Sequence, residues 1–362
     1  MDKRMGFLAA LAAGAIVSAA QAGEPWHFTV TADMRGEHGR FETLCNDINT
    51  RLGGPGAFHV SVGDVDETVA ENRAVIDAKF GAAAVWYPII GNHEEETGAD
   101  MQWLRNEYDS GNGVRTPLNV LTNDDGPAGT RRVMYTWDCG DAHFVATNQY
   151  WNGGPTEGAG TDISRDDTAR SGDVVGPLRD WLSADLASNT RPFVFVFGHE
   201  PAYPQPWQRH SGDSLDAYPA NRDAFWQVLE DHGVQVFLCG HTHQYARSRP
   251  GTVTEHLDAG NAGNWPDAGE GLTYFDVVVS DTQAVINVYR DGGTGVFALA
   301  DSVTVTPEPA AAALLVAGAC LPLLRRRKQA GPALPGRQHR PSRADRPSGH
   351  SSRMGSSRSL PR

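Results

Sequence analysis

The sequence predicts an α/β fold, and three features predict it. Apolar runs of strand character alternate with amphipathic helical segments. Five of those runs end abruptly in Asp, Asn or His side chains, and the last part of the body becomes β-rich.

The elements can be justified in order. Phe28-Thr-Val-Thr leads into Thr31-Ala-Asp33-Met-Arg35, and a helical pattern follows from Arg40 to Leu52. His59-Val-Ser-Val leads into Val62-Gly-Asp64-Val-Asp66, then a helix over Glu67 to Phe80. Trp86-Tyr-Pro-Ile-Ile leads into Gly91-Asn92-His93-Glu94, then a helix over Met101 to Tyr108. Helices over Val175 to Leu186 and Asn221 to His232 flank Phe193-Val-Phe-Val-Phe, which ends in Gly198-His199-Glu200. Val234-Gln-Val-Phe-Leu ends in Gly240-His241-Thr-His243. Beyond Gly251, Leu272 to Val279 and Gln283 to Tyr289 form a hairpin across Ser280-Asp-Thr. The Gly-, Asp- and Thr-rich stretch from Tyr150 to Asp173 reads as a lid, a substrate loop or a plain insertion. Asp258 to Asn264 is a glycine-rich loop expected at the site mouth.

The five strand ends carry the chemistry. Four place Gly immediately before the polar residue, where a missing side chain lets backbone approach something bound. Side chains at the carboxyl ends of neighbouring strands share one sheet edge, so residues distant in sequence converge. The series Asp33-Met-Arg35, Gly63-Asp64, Gly91-Asn92-His93-Glu94, Gly198-His199 and Gly240-His241-Thr-His243 resembles the calcineurin-like metallophosphoesterase superfamily. Gly198-His-Glu-Pro-Ala-Tyr203 and Gly240-His-Thr-His-Gln-Tyr-Ala-Arg247 look most like its purple-acid-phosphatase branch. Tyr135 to Asn148 is similar to the hairpin that precedes the superfamily's later motifs.

The resemblance implies a four-layer α/β/β/α sandwich of two mixed β-sheets flanked by helices. It implies two divalent or trivalent metal ions, Fe, Mn or Zn, that acidify a bridging water and clamp phosphoryl oxygens. Asp64 is expected to bridge them. Asn92, His199 and His241 complete one site, and Asp33 and His243 serve the other. His93 is expected to assist catalysis at the phosphoryl or leaving oxygen. Arg35 stands where the superfamily has a histidine ligand, and a guanidinium has no lone pair to offer a metal. Glu67 is therefore expected as a substitute carboxylate ligand, with Arg35 turned to phosphate oxygens. His27, His38, His59, His143, His210, His232 and His256 lie outside the motifs and are read as structural.

The implied activity is hydrolysis of phosphate esters on a small-molecule or polymer substrate. A surface-retained binding or scaffold protein with impaired catalysis stays open, as does a cyclic-nucleotide or nucleotide phosphodiesterase. Charge weighs against nucleic acid as a partner. Between Gly23 and Leu324 there are 18 basic and 42 acidic side chains, a net charge of −24, and duplex binding needs basic side chains on phosphates.

The ends point to export. Residues 1–22 have the charged, apolar and small-residue order of a signal peptide, and the phosphoesterase domain is expected over 23–303. Residues 304–328 join Pro307-Glu-Pro309, an apolar run from Ala310 to Leu324 and an Arg cluster, which resembles a PEP-CTERM sorting signal. That resemblance implies an exosortase-type processing enzyme, transient membrane contact through 310–324 and a Gram-negative envelope or extracellular destination. Residues 329–362 form a basic tail of disordered composition. The cysteines show no metal-knot spacing, and no Cys45–Cys139 disulfide is expected.

Overall fold

The computed structural model describes residues 24–65, 69–96, 98–108, 126, 127, 130, 133–154, 171–263 and 270–307. Residues 1–22, most of the 150–173 loop, the sorting segment from residue 308 onward, the basic tail and Glu67 lie outside the described residues. Among the described residues no helix is long and apolar enough to cross a membrane.

The first sheet is built on β1 (Trp26–Thr31), β2 (His59–Val62) and β3 (Trp86–Ile89), which pair in parallel. Antiparallel strands β10 (Thr273–Val279), β11 (Ala284–Arg290) and β12 (Ala298–Val305) extend it beyond β1, giving the order β12-β11-β10-β1-β2-β3. The second sheet runs β4 (Tyr135–Cys139), β5 (Ala142–Ala146), β6 (Phe193–Phe197), β7 (Val236–Cys239), β9 (Glu255–Ala259), β8 (Tyr245–Ser248). Its centre, β5-β6-β7-β9, is parallel.

The two sheets meet through aromatic rings. Phe28 of β1 stands edge-on to Phe144 of β5 and Phe195 of β6 at centroid distances of 5.3 and 5.6 Å, and Tyr87 of β3 stacks on Trp137 of β4 at 3.9 Å. Such contacts bury large apolar area and fix the approach of one sheet to the other. Helices α1 (His38–Leu52) and α2 (Val69–Phe80) contribute Phe41, Leu44, Ile48 and Ile76 to the core of the first sheet. Helices α5 (Gly176–Ser188) and α6 (Pro219–Asp231) cover the second sheet with Leu178, Leu182, Phe225 and Leu229. The expected four layers are all present. Gly53 ends α1 in the left-handed conformation, φ 81°, returning its N–H to Asn49, and proline opens both α5 and α6.

Several elements depart from the sequence expectation. After β3 the chain turns at once into the short helix α3 (Asn92–Glu96) and then α4 (Gly98–Tyr108). β9 escapes recognition because three of its five residues are Glu255, His256 and Asp258, all buried. β12 is a mostly exposed edge strand and runs to Val305, past the boundary expected at residue 303, since Val303 to Val305 continue the ladder on β11. Asp258 and Ala259 belong to β9, so the glycine-rich loop opens at Gly260.

Candidate metal centre

The parallel strands β1, β2, β3, β6 and β7 all release their chains at the same edge of the sandwich, and the two sheets are stitched together there. Asp33 N–H donates to Gly63 O at 3.2 Å and Arg35 N–H to Asp64 O at 3.0 Å, which joins the loops after β1 and β2. Gly240 N–H donates to His199 O at 2.8 Å, joining the loops after β6 and β7. His199 Nδ1 lies 2.8 Å from Val62 O, and His241 N–H donates to Asp33 Oδ2 at 2.9 Å, so each sheet holds the other's loops. Six non-glycine residues have positive φ among the described residues: Asp33, Arg35, Asp64, His210, His241 and His243. Each such residue costs about 1–3 kcal/mol and persists only where its surroundings hold it. All six lie in this one neighbourhood.

The side chains form two overlapping donor sets. His199 Nε2 lies 3.2 Å from Asp64 Oδ1 and 3.3 Å from His241 Nδ1, which is itself 3.1 Å from Asn92 Oδ1. One oxygen each from Asp33 and Asp64 and a ring nitrogen of His243 lie within 4.8 Å of one another, with His243 Nε2 at 3.6 Å from Asp33 Oδ1. Asp64 is common to both sets. Its position is fixed from behind by Glu94, whose carboxylate accepts the N–H groups of Asp64 at 3.0 Å, Val65 at 2.7 Å and Gly91 at 2.7 Å.

The electrostatics describe a site short of positive charge. Burial, reinforced by the neighbouring Asp64 and Asp258, drives the Asp33 carboxyl well above its usual range. Burial likewise lifts Glu200 to about 8 and Asp258 to about 7. Burial works against protonation of His199, but the adjacent Asp64 outweighs it and raises the imidazole to about 10. Asp64 gains from the same pair: burial pushes its carboxyl up, and His199 pulls it far below the usual range. Burial takes His241 well below its ordinary value and His243 down to about 3, so both rings are uncharged at neutral pH. His241 Nε2 is buried and has no hydrogen-bond partner among the described residues. Buried carboxylates crowded against imidazole nitrogens are what a cation satisfies, and these oxygen and imidazole donors fit Fe, Mn or Zn.

Arg35 does not join either donor set. Its Nη1 lies 2.9 Å from His93 Nε2, and since a guanidinium only donates, Nε2 is the acceptor and any ring proton sits on Nδ1. His93 Nε2 is also 3.7 Å from Asp64 Oδ2, which places the ring at the edge of the cluster. Asp33, Asp64, Asn92, His199, His241 and His243 are thus brought together, with His93 and Arg35 beside them.

A protein-family model, the calcineurin-like phosphoesterases, matches residues 27–245, which contain every one of these side chains. The chain belongs to the calcineurin-like phosphoesterase family. An acid phosphatase of Aspergillus ficuum is 27% identical over 207 residues, covering 48% of this chain and 32% of the relative. An uncharacterized protein of Mycobacterium tuberculosis (strain H37Rv) is 26% identical over 172 residues, covering 46% of this chain and 28% of the relative. The chain therefore spans about a third of the length of these curated relatives. Among solved structures, a dimetal phosphatase from Danio rerio superposes with a TM-score of 0.52 at 14% identity, covering 78% of this chain and 99% of that one. PhoD superposes with a TM-score of 0.53 at 12% identity, covering 78% and 70%. At such identity the structures speak for the fold of this phosphoesterase family member.

His210, read from sequence as structural, is placed beside the cluster. Its ring centroid lies 5.4 Å from those of both His241 and His243. No sequence signal marks it, because it sits in a loop well past β6 and away from any strand end. The buried pair Tyr150 and Glu200 was also missed. Tyr150 Oη donates to Glu200 Oε1 at 2.8 Å, directly behind His199.

Proposed function

We propose that this phosphoesterase family member hydrolyses phosphate esters with two bound metal ions. The observation that carries this reading is the convergence of six donor side chains from five strand ends: His241 Nδ1 lies beside Asn92 Oδ1 and His199 Nε2, His199 beside Asp64, and Asp33, Asp64 and His243 offer donor atoms within 4.8 Å of one another. Asp64, Asn92, His199 and His241 would hold one ion, and Asp33, Asp64 and His243 the other. When bound, the ions acidify water and stabilise negative charge on the phosphoryl group.

The remaining work falls to the chain's own side chains. Arg35 offers charge-assisted donors to phosphoryl oxygens, and it orients His93 through Nε2. His93 assists at the leaving or phosphoryl oxygen. His210, whose ring centroid lies 5.4 Å from those of His241 and His243, is a further contact for a bound anion. Glu67 is proposed as the additional carboxylate that Arg35 cannot supply, and Glu67→Gln then lowers bound metal from about two ions toward one.

A second reading, a surface-retained binding protein with impaired turnover, is favoured by Arg35 and by the sorting-signal pattern of residues 304–328. Metal analysis together with assays on an aryl phosphate monoester and diester separates the readings. The phosphatase reading expects bound metal and monoester hydrolysis that a chelator abolishes. Preference for the diester points to a phosphodiesterase, and bound metal without turnover leaves the binding protein.

We further infer export, from the order of leader, acidic body, apolar segment and Arg cluster. Intact mass of protein from its native envelope tests it. Mature ends near Gly23 and Pro307 are expected, and an uncut chain reaching Arg362 overturns the inference.

A further inference from the structure

Large apolar side chains are well hidden in this domain, with three exceptions among the described residues: Trp207, Val296 and Leu299. Val296 and Leu299 lie beside or on the edge strand β12. Trp207 is different in setting. It is 58% exposed and sits three residues before His210, whose ring faces both His241 and His243. Three residues of chain span at most about 10 Å, so Trp207 belongs to the rim of the candidate metal centre.

A single exposed aromatic residue is ordinary on protein surfaces. What sets this one apart is the rigidity of the loop that carries it. Prolines at 204 and 206 restrict the backbone before it. Gln205 and Gln208 close a tight turn around it, with Gln208 N–H donating to Gln205 O at 2.9 Å and Gln205 N–H to Gln208 Oε1 at 2.6 Å. The buried Gln208 amide then donates to Thr242 Oγ1 at 2.8 Å, Gln244 O at 3.0 Å and Asp258 Oδ2 at 3.1 Å. Arg209 N–H donates to Gln244 Oε1 at 2.6 Å. The residues that follow Trp207 are therefore fastened to Thr242 and Gln244 of the strand-end turn, and Gln205 before it is tied in through Gln208. A flat ring carried on a fastened loop costs less entropy to bring against a ligand than one on a loose loop, which is how an aromatic platform gains selectivity.

We propose that Trp207 selects phosphate esters whose leaving group is a planar ring, an aryl alcohol or a nucleoside, by stacking on that ring while the phosphoryl group sits at the His241 and His243 cluster. The proposal rests on the phosphoesterase reading for the placement of the phosphoryl group, and it deepens that reading from phosphate esters in general to a class of leaving group. Stacking on a single ring face corresponds to a preference of about 5- to 10-fold.

The test uses the full chain loaded with metal. Trp207→Ala raises KM for phenyl phosphate and adenosine 5′-monophosphate about 5- to 10-fold more than KM for glycerol phosphate, and Trp207→Phe restores most of the difference. Equal changes on the aromatic and aliphatic esters, or no change, overturn the proposal. A binding arm is independent of turnover. Phenylphosphonate binds wild type more tightly than methylphosphonate by calorimetry, and the advantage disappears in Trp207→Ala. Equal binding of the two phosphonates to wild type overturns the platform. If the phosphonate preference is present but no ester is cleaved, the phosphoesterase reading fails and the platform stands.

Discussion

His143 and His199 both belong to the parallel ladder of the second sheet, His143 near the start of β5 and His199 just beyond the end of β6. Each meets carboxylates, yet the two surroundings are built in opposite ways. His143 Nδ1 lies 2.7 Å from Asp138 Oδ1 and its Nε2 lies 2.8 Å from Asp185 Oδ2, so both nitrogens are satisfied and β4, β5 and α5 are tied together. The backbone there is regular strand and helix. At the other end, six residues hold positive φ, buried acids crowd one another, and His241 Nε2 has no partner among the described residues. The contrast separates a histidine that holds the fold from histidines held by the fold for something else. Residue type and burial do not make that distinction; completeness of hydrogen bonding and backbone strain do.

The hardest way to break the contrast is to remove the donors. His241→Ala and Asp64→Asn each lose bound metal and reduce ester hydrolysis by at least about 10²-fold, the scale of deleting one electrostatic element aimed at a transition state. Metal content measured on the purified variants alongside turnover checks this. If both retain metal, the donor assignment is wrong. His93→Ala comes next. It keeps its metal and slows turnover by about 10²-fold, as expected for a group that handles a proton and does not ligate. Metal loss as deep as in His241→Ala would move His93 into the donor set.

A smaller effect comes from the backbone that holds the strained loops. Gly63 has φ +80°, and a Cβ there would stand 2.2 Å from His199 Nδ1. Gly63→Ala therefore forces apart β2 and the loop carrying His199, costing about 1–3 kcal/mol of stability and weakening metal binding. Thermal unfolding with and without added metal reads both. An unchanged melting curve would show that the two sheets are not locked at this point.

These expectations depend on how much the chain reveals in one dimension. The five strand ends were legible because each pairs an apolar run with a glycine and a polar terminus, and parallel strands must deliver such termini to one edge. Glu94 was visible only as part of a motif. Its task of accepting three N–H groups from two different loops depends on a register that sequence does not display. β9 was illegible because burial between β7 and β8 overrides the polarity of Glu255 and Asp258. His210 was illegible for a related reason: its significance comes entirely from where the Gln208 amide pins its loop. Arg35 was recognised as a departure from the ligand pattern, while its contact with His93 emerged only in three dimensions.

The smallest effect on chemistry, and the sharpest test of the contrast, is expected at His143. Burial lowers the affinity of this imidazole for a proton, but the hydrogen bonds and charges of Asp185 and Asp138 outweigh burial and raise its pKa above the ordinary value. The folded state then binds the proton more tightly than the unfolded chain, whose histidine titrates near about 6.5. Stability from this group is fully present below about pH 6.5 and is lost as pH rises through the higher folded value. His143→Gln keeps a polar group of similar reach but no charge. It should destabilise the domain by about 1.5–3 kcal/mol at pH 5.5, the range for hydrogen bonds to a charged group. The gap to wild type narrows as pH rises toward 9, and metal content stays unchanged throughout, since no donor to the metal centre has been touched. Denaturant unfolding at several pH values, with metal analysis on the same samples, decides the matter. A stability gap that is flat with pH would mean that His143 is neutral and its carboxylates are held by other means. A loss of metal would mean that the two ends of the sheet are not independent, and the contrast drawn between them would fail.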